Sequence, residues 1–135
     1  MKVERVFPNP NALTAPYWKA AREHRLTLPR CGACGRFHSY PRSRCPHCSS
    51  DRLTWTPCSG EATVYSYTEV LRAPSQAFAG EVPYVVAIVE LAEGPHLMTR
   101  LVGAERGKLA IGQKVQVEFD DMDDEIALPV FRVQT

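Results

Sequence analysis

The sequence predicts a mainly β chain: one N-terminal helix, a short cysteine-tied segment, and then a small five-stranded barrel. Three observations predict it. Two C-x2-C pairs, Cys31/Cys34 and Cys45/Cys48, bracket a stretch with hardly any aliphatic residue. After Trp55, short runs rich in Val, Ile, Tyr and Thr alternate with turn residues, the composition of strands. Finally, 135 residues at 44% hydrophobic and 23% charged can bury a true apolar core without disulfides, so the cysteines need another explanation.

Taken in order, the chain to Leu13 is polar and broken by Pro8 and Pro10, and reads as an extended arm. A helix is expected next, with Thr14 as N-cap and Pro16 in the first turn. Tyr17, Ala21, His24 and Leu28 share one face of it, and Pro29 ends it. Tyr17 and Trp18 read as packing anchors. Strands are expected over residues 61–72, 83–91, 96–102, 114–120 and 129–133. Ala92-Glu93-Gly94-Pro95 reads as a tight hairpin turn, and residues 73–82 as a longer loop of the kind that carries contacts. The acidic turn of Asp120, Asp121, Asp123, Asp124 and Glu125 reads as simply solvated.

Five short antiparallel strands suit an OB-fold barrel, although a sandwich fragment or an SH3-like barrel would satisfy the same pattern. The expected division is residues 1–57 for arm, helix and cysteine segment and 58–135 for the barrel. Charge divides in the same place. Residues 1–57 hold ten Lys/Arg against three acids, +7, while residues 58–135 hold six against twelve, −6. A net charge of +1 excludes a strongly electropositive nucleic-acid binder, and the asymmetry suggests halves that face different partners or each other. No run approaches 18 apolar residues and the first ten lack the apolar core of a secretory signal, so a cytoplasmic location is expected.

The cysteine spacing is the most specific signal. Cys31, Cys34, Cys45 and Cys48 supply four thiolates for the corners of a tetrahedron around one cation, in a segment unable to fold on apolar contacts. Four protein ligands leave no open position for water, so such a site stabilises rather than catalyses. Spacing does not choose the metal: iron would bind the same sulfurs, which keeps an iron-containing electron carrier open. Gly35 and Ser49 follow the two pairs, where a small residue lets backbone N–H groups turn toward sulfur. Cys58 stands apart and reads as a small buried residue. The sequence holds no G-x-S-x-G, no phosphate-cradling glycine loop and no H-E-x-x-H, hence no reason to assign catalysis to this chain by itself.

The order of these features is distinctive. A Tyr-Trp helix leads into LTLPRC, followed by PRSRCPHC, GEATVYSY, PYVVAIVELAEGPHLMTRLVG, IGQKVQVEF and LPVFRV. In this order the chain resembles the domain of unknown function 35 family, from about Tyr17 onward. The resemblance implies a helical hairpin and rubredoxin-like zinc ribbon fused to an OB-fold, with structural Zn2+ on Cys31, Cys34, Cys45 and Cys48. It also implies an accessory subunit of a thiolase-fold acyl-CoA enzyme: a thiolase, an acyltransferase or a retro-aldolase of steroid side-chain degradation. Such a subunit bridges its partner to a second acyl-CoA enzyme, such as a hydratase, or helps hold coenzyme A. Coenzyme A is anionic, so Arg30, Arg42 and Arg44 become candidate contacts, with Phe78 and Tyr84 beside the long loop as aromatic ones. The same arginines would otherwise offset thiolate charge. The competing reading is a single-stranded nucleic-acid module, since OB barrels and zinc ribbons both bind strands; Tyr65 and Tyr67 would stack bases, but a barrel half of −6 opposes phosphate.

Overall fold

The computed structural model describes residues 8–104 and 107–134. The first half of the expected arm, residues 1–7, lies outside them. Among the described residues there is one α-helix, α1 (Ala15–Arg22), rather than a helical hairpin. A two-stranded antiparallel ribbon, β1 (Thr27–Cys31) with β2 (Leu53–Pro57), follows, and then five barrel strands: β3 (Glu61–Val70), β4 (Tyr84–Leu91), β5 (His96–Val102), β6 (Lys114–Asp121) and β7 (Ala127–Val133).

The helix is shorter than its apolar periodicity predicts. It ends at Arg22 because His24 enters the left-handed region at φ 60°, letting its N–H bond Ala21 O and that of Arg25 bond Ala20 O, both at 2.9 Å. This Schellman closure turns the chain, so Leu28 and Pro29, expected at the helix end, lie in β1 instead. The entry also differs. The Thr14 side chain makes no cap bond to the helix; Asn11 organises the turn before it, its Oδ1 accepting from the N–H groups of Leu13 and Thr14 at 2.9 Å.

The barrel closes in the order β3-β4-β5-β7-β6, with β6 returning to β3. All neighbours are antiparallel except β5 and β7, which run parallel at Leu101–Phe131 and Val102–Arg132. This is the five-stranded OB-fold topology. Its core gathers Val64, Val89, Leu97, Leu101, Val115 and Phe131, and the same cluster includes Leu26 and Leu28 from the first half of the chain. Tyr17 packs on its margin. The helix and β1 are therefore joined to the barrel through apolar burial, to which the cysteine segment adds only the half-buried Phe37.

Two backbone details shape the surface. Gly60, at φ 81°, opens β3 where an added Cβ would collide with Val117 and lie 2.9 Å from Gln116 Nε2, so only glycine fits. A bulge between Val64 and Ser66 then re-aims β3, leaving Val64 buried and Tyr65 exposed. The acidic turn does more than meet solvent. Asp121 pairs with His24 at 2.8 Å, and Asp123 Oδ1 accepts from Glu125 N and Ile126 N. No helix among the described residues is long and apolar enough to cross a membrane.

Candidate metal centre and the groove beside it

Residues 31–36 and 45–50 repeat one backbone design fourteen residues apart. In the first, Gly35 N bonds Cys31 O and Cys31 N bonds Arg36 O; in the second, Ser49 N bonds Cys45 O and Cys45 N bonds Ser50 O, all at 2.8–2.9 Å. Gly35 and Ser49 hold positive φ, 76° and 66°, which is what closes each turn. The N–H groups that face sulfur come from neighbouring positions instead: Ala33 and Cys34 donate to Cys31 Sγ at 3.3 and 3.4 Å, and His47 donates to Cys45 Sγ at 3.4 Å. The small residues close the turns, and the N–H groups within those turns are the ones that face sulfur.

The two turns bring four sulfurs together. Cys31 Sγ lies 3.5 Å from Cys48 Sγ and Cys34 Sγ lies 3.7 Å from Cys45 Sγ, with all four sulfurs within 4.8 Å of one another. A cation bonded to four sulfurs at about 2.3 Å sets tetrahedral edges of about 3.8 Å, so the donor set fits such an ion. Cys31 and Cys45 are buried, while Cys34 and Cys48 are exposed. The electrostatics are uneven. The N–H groups of Cys34 and Ala33 bring the Cys31 thiol down to about 6. At Cys48 the Ser50 N–H pulls downward, but the Cys31 sulfur, burial and the other two sulfurs win and push it up to about 11. Four crowded thiols cannot all ionise without a cation among them. Cys58 is outside this cluster; burial, then the Glu93 carboxylate, push its thiol up to about 12, so it is inert at neutral pH.

The candidate arginines fall in different places. Arg30 Nε donates to Gly35 O and Arg44 Nη1 to Ser49 O, both at 3.1 Å, so each stitches the left-handed corner of its own turn. Arg42 lines a groove of about 640 Å³ between the cysteine segment and the β4–β5 turn, together with Arg36, His38, Tyr40, His47 and His96. None of Arg30, Arg44, Phe78 or Tyr84 lines that groove. Phe78 and Tyr84 meet each other at 5.7 Å, and Arg100 sits 4.9 Å over the Tyr84 ring while pairing with Glu81. In the wall of the groove, His38 is buried with no partner for either ring nitrogen among the described residues; burial, then His47 and Arg42, lower its pKa.

Sequence reasoning did not find the seam by which this segment touches the barrel. Ser39 Oγ donates to His96 O, and Tyr40 OH accepts from Met98 N at 3.4 Å. No local pattern marks Ser39 or Tyr40, because their partners lie 57 and 58 residues away.

Comparison with known proteins gives this geometry a family. The profile described as "ChsH2, rubredoxin-like zinc ribbon domain" matches residues 18–54, and that described as "ChsH2, C-terminal OB-fold domain" matches residues 55–120. The chain belongs to the DUF35 family and carries its zinc ribbon and OB-fold. A DUF35 domain-containing scaffold protein of Methanothermobacter thermautotrophicus is 32% identical over 105 residues, covering 77% of this chain and 78% of that protein. A solved structure described as "Ltp2-ChsH2(DUF35) aldolase" superposes with a TM-score of 0.84 at 41% identity, covering 94% of this chain and 98% of that one. A probable enoyl-CoA hydratase alpha subunit of Thermomonospora curvata is 41% identical over 131 residues, 97% of this chain. The chain spans only 40% of that hydratase subunit's length.

Proposed function

We propose that this chain is a non-catalytic accessory subunit of a thiolase-like acyl-CoA enzyme complex in the cytoplasm, scaffolding a thiolase, acyltransferase or retro-aldolase and helping to hold its coenzyme A. One observation carries the reading: a closed four-sulfur site on a fold that matches 98% of the DUF35 chain in a structure described as an Ltp2-ChsH2 aldolase. The hydratase alpha subunit names of its relatives support a second acyl-CoA enzyme within reach. In this reading Cys31, Cys34, Cys45 and Cys48 would hold one structural Zn2+, which fixes the segment carrying the groove. Residues 1–57 and 58–135 then act as joined parts, the ribbon presenting basic groups and the barrel supplying rigidity.

The coenzyme A contacts follow from the same reading. Arg42 is the candidate whose head group has no hydrogen bond or ion pair among the described residues, so it is the first choice for a phosphate. Arg30 and Arg44 already hold backbone carbonyls, and Phe78 with Tyr84 would form a separate aromatic contact. The nucleic-acid reading has less support. Tyr67 OH is tied to Leu109 O and the Tyr65 ring lies 4.3 Å from that of His96, so the two tyrosines do not offer a free stacking row.

Co-expression with the thiolase-fold enzyme of the same host tests the proposal. A stable heteromer with more activity than the enzyme alone is expected; an enzyme that is soluble and fully active alone, and that ignores this chain, contradicts it.

A further inference from the structure

We infer that the outer face of β3–β5 where it meets the ribbon, centred on Tyr65, Met98 and Tyr40, is the surface that docks the partner enzyme, and that it receives an apolar patch rimmed by acidic side chains. This inference rests on the accessory-subunit reading and adds where the contact lies. Three of the large hydrophobic residues standing exposed among the described residues converge there: Tyr40 at 59%, Tyr65 at 54% and Met98 at 60%. Their convergence is built rather than accidental. The β3 bulge turns Tyr65 outward onto His96, register places Met98 beside Ile88, and Tyr40 reaches across from the ribbon to Met98 N. Exposed aromatic and methionine side chains in one patch are the composition of an interface centre.

Charge chooses the occupant. The patch runs into the groove through Tyr40 and His96, and the facing wall carries Arg36 and Arg42, neither of which has an ion pair or hydrogen bond through its head group among the described residues. With Arg42 given to the coenzyme A phosphate, Arg36 remains an unpaired guanidinium group beside an apolar centre and calls for a carboxylate on the surface that covers it. A second copy of this chain fits poorly. Its acidic turn has Asp121 engaged with His24 and Asp123 with its own backbone, which leaves those carboxylates already occupied. A nucleic acid would carry its phosphates continuously past Glu93 in the groove and Glu90 beside His96, whereas a folded surface can set a carboxylate opposite Arg36 alone.

The test measures affinity of the full chain for the thiolase-fold enzyme of the same host, for Met98→Glu, Tyr65→Glu, Arg36→Glu and Leu71→Glu. Leu71 is equally exposed at 59% but lies just past the far end of β3, six residues and about 20 Å from Tyr65. Metal content and melting temperature equal to those of the native chain establish that each variant folds. Losses of at least tenfold for the first three with Leu71→Glu within twofold are expected, as is weaker binding at high salt. If the native pair forms but Met98→Glu and Arg36→Glu bind as tightly as the native chain, the surface is wrong while the accessory reading survives. If no native pair forms, both fail. Self-association of the native chain abolished by Met98→Glu, or oligonucleotide binding abolished by Arg36→Glu, would also overturn the inference.

Discussion

The ribbon and the barrel solve the same problem with different physics. Between Gly32 and Ser50 the buried side chains are Cys45, His38 and Ser39, and the cysteine sulfurs converge where a core would otherwise sit. The barrel instead buries Phe131, Val64 and Val89 almost completely, with Leu28 of β1 packed against them. An apolar core degrades gradually as methylenes are removed, because each buried group contributes separately. A four-sulfur site has no such gradation: removing one ligand removes most of what holds the segment. The basic part of the molecule therefore depends on its four converging sulfurs, while the part beneath it does not.

The largest way to break the comparison is Cys45→Ser. Structural zinc sites supply roughly 10–16 kcal/mol of apparent binding free energy to folding. Loss of the metal and of protease resistance between residues 31 and 50 is expected, with the barrel's amide-exchange protection retained; a ribbon that stays protected would contradict it. Next in size, Phe131→Ala should destabilise the barrel by about 3–5 kcal/mol while one metal per chain remains bound, read by chemical unfolding beside elemental analysis.

Gly60→Ala comes third. The positive φ and the crowding by Val117 should lower stability by roughly 1–3 kcal/mol, and a melting temperature unchanged from the native chain would show that β3 and β6 relax more easily than their packing suggests. Arg30→Ala and Arg44→Ala should each cost about 1 kcal/mol or less and speed metal loss to a chelator, since each removes one carbonyl contact at a corner of the site.

The smallest effect sharpens the barrel side. Hydrogen bonding from Arg132 lowers the Glu118 pKa below its ordinary 4.5. The stabilisation is therefore fully present above that ordinary value and is lost as pH falls through the lowered one. Glu118→Gln should flatten the stability-versus-pH slope in that acidic window alone, and a change confined to neutral pH would assign the slope to another group.

Legibility in the sequence followed the same division. The barrel strands were readable because their runs are rich in Val, Ile, Tyr and Thr between turn residues, and His96–Val102 also alternates, with Leu97, Thr99 and Leu101 buried. The cysteine site was readable because its four ligands come as two short pairs. What could not be read depended on distant partners or on one backbone angle. The helix end turned on His24 adopting a left-handed conformation, which no periodicity encodes. β1 and β2 pair across the whole cysteine segment, Cys31 opposite Leu53, so neither run announces a strand alone. The roles of Arg30 and Arg44 emerged only once Gly35 and Ser49 were seen to turn their carbonyls toward them.

The most direct test of the account is elemental analysis of freshly isolated chain with thiol titration before and after a strong chelator. The account predicts a colourless protein with about one zinc, four thiols protected until chelation, and exposure of the ribbon but not the barrel to protease afterwards. Finding neither zinc nor iron, with Cys31, Cys34, Cys45 and Cys48 all reacting at once, would contradict it.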